Sequence, residues 1–77
     1  MLINYSIYKL RQEKHMTQRQ LARKAGISTA MVSFIERGQR RPTLEVALMV
    51  AKALGTTLEE LIILPKDRPD LKHYLRL

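Results

Sequence analysis

Thr29, Ala30 and Ser33 recur at the spacing of one helix face within TQRQLARKAGISTAMVSFIERG, residues 17–38. At about 100° per residue they share a side that carries no long chain. Ser28, Met31, Val32 and Ile35 fall on the other side, and Ile27 leads in beside them. Two hydroxyls and a methyl make a narrow, short-chained face, so the helix backbone can approach another surface closely. In a major groove such hydroxyls hydrogen-bond base edges, and the Ala30 methyl meets a thymine methyl. The competing explanation is an ordinary solvated face. Such faces usually carry Lys, Glu and Gln, and none of these occurs on this one before Glu36. Phe34 lies at the boundary. Its ring either packs against the turn that follows or contacts thymine methyls and sugar edges.

A second group of residues suits phosphate rather than bases. Gln18 and Arg19 stand at the start of a helix, where unpaired N–H groups and the positive end of the dipole favour an anion. Gln39, Arg40 and Arg41 follow Gly38 in a donor-rich loop. Contacts of this kind position a protein on a duplex and carry little sequence information. Arg23 and Lys24 fit a backbone contact and a solvated role equally well. The charge distribution agrees: residues 9–41 hold nine basic and two acidic side chains, which accounts for the whole net charge of +7. A basic patch of this kind attracts polyanions by counterion release, although a merely solubilising surface has the same composition.

Glu36 is out of place in that basic stretch. It follows core Ile35, as Arg11 follows core Leu10. A buried or half-buried Arg11–Glu36 ion pair would tie a first helix to the end of the third, and losing one partner would leave an uncompensated charge. Two independent surface charges are the alternative.

Five helices are needed to position these groups. The first is expected over about Tyr5–Lys14, with Asn4 or Ser6 as its cap, and His15 in the left-handed conformation at its end. The second runs over Gln18–Ala25, with a Thr17/Gln20 capping box and Gly26 as terminator. The third covers Thr29–Arg37 between Ser28 and Gly38, and the fourth Leu44–Leu54 between Thr43 and Gly55. The fifth covers Leu58 to about Leu64, with a Thr57/Glu60 capping box and Pro65 as its stop. No strand alternation shows between Ile7 and Leu64, so the fold class is all-α. Residues 1–64 form one domain, and residues 65–77 form a linker or tail. In that tail, Asp70 either caps a short turn carrying Leu71, Tyr74 and Leu75, or His73–Leu77 lies extended along a neighbour.

Other classes fit poorly. With no cysteine, only His15 and His73 as histidines, and no carboxylates at metal-ligand spacing, the chain offers neither catalytic nor metal chemistry. No cofactor or small-molecule ligand is expected. The longest apolar run, Leu61–Leu64, is too short to span a bilayer, and MLINYSIYKLRQ contains no signal-peptide core. A soluble, cytoplasmic protein is expected. In a helix those four apolar residues cover more than one face, so one core cannot bury them all. Leu61, Ile62, Ile63 and Leu64 are therefore candidates for a dimer surface.

Taken together, these signals resemble the lambda-repressor and Cro type of helix-turn-helix, the XRE family, over about Ile7–Leu64. The matching text is Leu10-Arg11, Met16-Thr17-Gln18, Leu21-Ala22, Ala25-Gly26-Ile27-Ser28 and Val32-Ser33-x-Ile35-Glu36-Arg37-Gly38. It continues with Arg41-Pro42-Thr43-Leu44, Ala51-x-Ala53-Leu54-Gly55 and Leu61. The resemblance implies a five-helix domain that binds double-stranded DNA as a homodimer on a palindromic operator, regulating transcription, with repression favoured. It also implies that Gln18, Thr29, Ala30, Ser33 and Phe34 face DNA, and that Arg11 bridges to Glu36. His15 stands where the family usually has glycine, and Phe34 where it often has a long polar base reader. Many members carry a second, sensing domain. Only 13 residues follow Leu64, so regulation is expected to come from abundance, a partner or dimer assembly, as in the small phage repressors and restriction–modification controllers that the chain resembles. The alternative is an antitoxin or adaptor whose main partner is another protein, held by the Leu61–Leu77 end.

Overall fold

The computed structural model describes residues 3–75. The elements run β1 (Asn4–Tyr5), α1 (Ile7–Glu13), α2 (Gln18–Ala25), α3 (Thr29–Glu36), α4 (Leu44–Ala53), α5 (Leu58–Leu61) and β2 (Ile62–Ile63), followed by a 3-10 segment over Pro69–Leu75. Five α-helices form in the expected order; α2 has the expected bounds, and α3 and α4 each end one residue earlier than expected. Four of the N-caps, Thr17, Ser28, Thr43 and Thr57, accept the backbone N–H three residues on. This satisfies one of the donors that a helix start leaves unpaired.

One core joins the helices. Ile7, Leu21, Val32, Val50, Leu54 and Leu61 are buried almost completely, and Ala22, Ala25, Ala51 and Ala53 let the helices approach closely between them. The α2 helix packs against both α3 and α4, so the two-helix unit rests on the rest of the domain as a rigid block.

The two ends of the helical array depart from expectation. The first helix begins at Ile7, and Asn4–Tyr5 instead forms a strand antiparallel to Ile62–Ile63, in the register Asn4↔Ile63 and Tyr5↔Ile62. The Ser6 N–H extends this pairing to the Leu61 carbonyl at 2.7 Å. Ser6 is the N-cap of α1, without a side-chain bond. The fifth helix stops at Leu61, three residues early. Two consecutive β-branched residues favour extended backbone, and Pro65 disfavours helical geometry at Leu64. The second capping box is half-made. Thr57 Oγ1 accepts the Glu60 N–H, but the Glu60 carboxylate accepts the Thr56 hydroxyl at 3.0 Å.

This changes the expected dimer surface. Leu61 has 0% exposure and belongs to the core of its own chain, so it cannot line an interface. Ile62 and Leu64 are half-buried, and Ile63 is exposed. On α4, Leu44 and Leu48, one turn apart, are exposed as well, which the sequence reading did not single out.

In the tail, Asp70 lies inside the 3-10 segment and does not cap it. Its carboxylate instead takes two hydrogen bonds from the Arg68 guanidinium, at 2.9 and 2.8 Å. The extended alternative for His73–Leu77 fails at His73 and Tyr74, which are in that segment; Arg76 and Leu77 lie outside the described residues. No helix among the described residues is long and apolar enough to cross a membrane.

Candidate nucleic-acid interface

Local chemistry sets the geometry of the two-helix unit. At the start of α2 the capping box is complete: the Gln20 N–H donates to Thr17 Oγ1 at 3.0 Å, and the Thr17 N–H donates to Gln20 Oε1 at 2.8 Å. The next two backbone donors, on Gln18 and Arg19, have no helical acceptor because of their position in the first turn. Gly26 ends α2 at φ +76°, which returns the Ile27 N–H to the Ala22 carbonyl at 3.0 Å. A Cβ at Gly26 would meet Met49 only at ordinary contact distance. The requirement for glycine there is therefore conformational rather than spatial. His15 makes the corresponding reversal before α2, at φ +56°.

The third helix presents the expected face. Val32 and Ile35 are buried and Met31 packs against the core, whereas Thr29 and Ala30 are exposed and Ser33 is half-buried. A helix of ordinary diameter, about 10–12 Å, fits the roughly 12 Å width of the B-form major groove. Short side chains on its outer face leave room for that approach.

The Arg11–Glu36 pair forms, and it joins more elements than expected. Arg11 Nε donates to Glu36 Oε2 at 2.7 Å, Nη2 donates to Glu36 Oε1 at 3.0 Å, and Nη1 donates to the Met16 carbonyl at 2.9 Å. The two side chains are 9% and 5% exposed. Gln18 Nε2 also donates to Glu36 Oε1, at 3.1 Å. One carboxylate thus ties α1, the first residue of α2 and the last residue of α3. Among the described residues, every buried side-chain polar atom has a partner. The hydrogen bonds that Arg11 donates to Glu36, and that carboxylate's negative charge, raise the Arg11 pKa above its ordinary value against the opposing effect of burial. An arginine guanidinium is charged throughout the working pH range with or without this effect. Tyr8 covers it, with its ring centroid 5.3 Å from the guanidinium carbon.

Gln18, expected at a phosphate, thus commits one amide proton to a bond within the chain. Arg19, Gln39, Arg40 and Arg41 are exposed. Arg41 makes a long 3.5 Å bond to the Ile3 carbonyl. Arg37, Arg40 and Arg41 share the lining of a cleft of about 290 Å³ with Ile3 and Tyr5.

The Phe34 ring lies against the turn that follows α3. It is half-buried beneath the loop that follows α3. The Arg37 and Arg40 guanidinium carbons stand 5.5 and 5.8 Å from its ring centroid. Sequence reasoning missed Arg37. The spacing Phe34-x-x-Arg37 was the available signal, since residues three apart on a helix are neighbours.

The sequence matches the Helix-turn-helix family over residues 7–61. The chain belongs to the XRE-type helix-turn-helix family of DNA-binding transcriptional regulators. This helix-turn-helix chain is 40% identical over 53 residues to an uncharacterised HTH-type transcriptional regulator of Mycobacterium tuberculosis, covering 69% of this chain and 38% of that one. It is 36% identical over 62 residues to the immunity repressor protein of Bacillus phage phi105, covering 80% of this chain and 43% of the repressor. The match therefore spans less than half the length of these two curated relatives. Among solved structures it is similar to the restriction–modification controller protein C.AhdI from Aeromonas hydrophila. That similarity has a TM-score of 0.69 and 35% identity, covering 70% of this chain and 82% of the controller.

Proposed function

We propose that this chain acts as a homodimer that binds a palindromic operator in double-stranded DNA and represses transcription. In this reading α3 enters the major groove, where Thr29 and Ser33 hydrogen-bond base edges and Ala30 touches a thymine methyl. The N-terminus of α2, through Gln18 and Arg19, and the loop with Gln39, Arg40 and Arg41 hold phosphates on either side. The observation that carries the reading is the exposed, short-chained face of α3, locked to both neighbouring helices through Glu36. The likeness to a phage immunity repressor supports repression, and the exposed apolar side chains of Leu44, Leu48 and Ile63 support the pairing of protomers. For the dimer contact we assign Ile62, Ile63 and Leu64, supported by the core residue Leu61 behind them, and add exposed Leu44 and Leu48.

Selection of bound sites from a random DNA pool tests this directly. The expected product is a palindrome whose half-sites lie about one helical turn, roughly 10 base pairs, apart. Equal affinity for the selected site and for random DNA at moderate salt overturns specific recognition. A second reading, an antitoxin or adaptor for a protein partner, is favoured by the exposed Ile63 and Tyr74 at the C-terminal end. Co-purification of a neighbouring gene product without DNA binding would select it.

A further inference from the structure

We propose that Phe34 is a positioning residue for phosphate contact: its ring holds the Arg37 and Arg40 guanidinium groups ready for the DNA backbone and reads no base. This inference rests on the DNA-binding reading above and deepens it.

The same residue works through its backbone and its side chain. The Phe34 carbonyl accepts the Gln39 N–H at 2.8 Å and the Arg40 N–H at 3.3 Å. These bonds turn the chain back over the end of α3, a reversal that Gly38 permits at φ +71°. Arg40 is thereby brought over the ring of the residue that captured its N–H, and Arg37 reaches the ring from one turn along the helix. Both guanidinium carbons lie within the distance, about 6 Å, at which a cation is attracted to an aromatic face. Arg37 is steadied further by a 3.4 Å bond from its Nε to the Ser33 carbonyl.

The chemistry of this support matters. A carboxylate would fix an arginine equally well but would cancel the charge that a phosphate needs. An aromatic ring attracts the cation through its quadrupole and leaves the net charge in place. Among the described residues, neither Arg37 nor Arg40 has a carboxylate within ion-pair distance. Both arginines therefore reach a polyanion already restricted in orientation and still fully charged, which lessens the ordering cost of binding. With its surface half-buried and two cations against it, the ring has little left to offer a thymine methyl.

The experiment compares wild type with Phe34→Leu, which keeps apolar bulk but removes the ring, and Phe34→Tyr, which keeps the ring. Affinity for random-sequence duplex DNA is measured across a salt series, alongside thermal melting. Phe34→Leu is expected to stay folded, melting slightly below wild type, and to bind about 5- to 30-fold more weakly, the ordering cost of two arginine side chains that the ring no longer restrains. Its salt slope should fall by up to about 2, or roughly 0.9 for each phosphate that is no longer neutralised. Phe34→Tyr should restore both. In an Arg37→Gln/Arg40→Gln background, Phe34→Leu should add nothing further. Sites selected from a random pool should be the same for Phe34→Leu as for wild type. Independently of any variant, the wild-type Arg37 and Arg40 Nε–H resonances should be displaced upfield by the ring.

A wild-type salt slope in Phe34→Leu, a changed base preference at one position, or side-chain resonances at random-coil positions each overturn the proposal. Wild-type protein with no salt-dependent binding to duplex DNA would instead overturn the functional reading beneath it.

Discussion

Tyr8-x-x-Arg11 on α1 and Phe34-x-x-Arg37 at the end of α3 place a ring and a guanidinium at the same spacing, yet the two arginines end in opposite electrical situations. Arg11 is 8% exposed, covered by Tyr8 and bound in bidentate fashion by Glu36. Its charge is spent inside the molecule, joining three helices. Arg37 is exposed, rests on Phe34 and has no carboxylate partner among the described residues. Its charge remains on the surface. The ring is common to both, and the carboxylate decides. An arginine with a carboxylate becomes architecture, whereas an arginine on a ring alone remains available to an outside anion.

The strongest way to break this contrast is to remove the carboxylate. Glu36→Ala should cost about 3–5 kcal/mol of stability, because Arg11 is left charged and nearly buried. Replacing both partners by apolar residues, Arg11→Met with Glu36→Leu, should cost less than either single change. Denaturant unfolding measures both, and a Glu36→Ala protein as stable as wild type would dissolve the distinction. Next in size, Ser33→Ala or Thr29→Val should shift preference at one base pair by about 1–3 kcal/mol and leave the salt slope alone. Competition binding with single-base operator variants reads this.

Arg40→Gln tests the opposite side. It should weaken binding to every sequence by a similar factor and lower the salt slope by about 1, with stability unchanged within about 0.5 kcal/mol. A selective loss on one sequence would make Arg40 a base reader. The smallest effect belongs to Arg68–Asp70, an exposed pair. Hydrogen bonding to Arg68 lowers the Asp70 pKa below its ordinary value. Whatever order this bond lends the tail is present above the unfolded value, about 3.9, and disappears as pH falls through the lowered one. Asp70→Asn should leave the global melting temperature at neutral pH unchanged while loosening amide protection in the 3-10 segment only.

How far each region could be read beforehand follows from the range of the interactions that build it. The capping box at Thr17, the left-handed His15 and Gly26, and the outer face of α3 all arise from residues a few positions apart, and each leaves a mark in local sequence. The Arg11–Glu36 pair spans 25 positions and is legible because both charges follow a core residue and because the family resemblance implies the bridge. The Gln18–Glu36 bond, 18 positions apart, leaves no such mark, so the sequence points to phosphate alone for Gln18. Strand Asn4–Tyr5 was hidden because two residues are too few to show alternation. Its partner Ile62–Ile63 was absorbed into a helix whose apolar run suggested continuation. Glu60 failed as half of a capping box because the Thr56 hydroxyl, four positions away, competed for the same carboxylate.

That two-stranded ribbon also has a kinetic meaning. Tyr5 and Ile62 stand at opposite ends of the helical array, so joining them closes a loop containing every helix of the domain. Loop closure of this span is costly in chain entropy until the helices have already gathered. The ribbon is therefore expected to form late in folding and to open early in unfolding. Amide exchange should show it opening as a separate unit, while the α2–α3 block stays protected up to global unfolding.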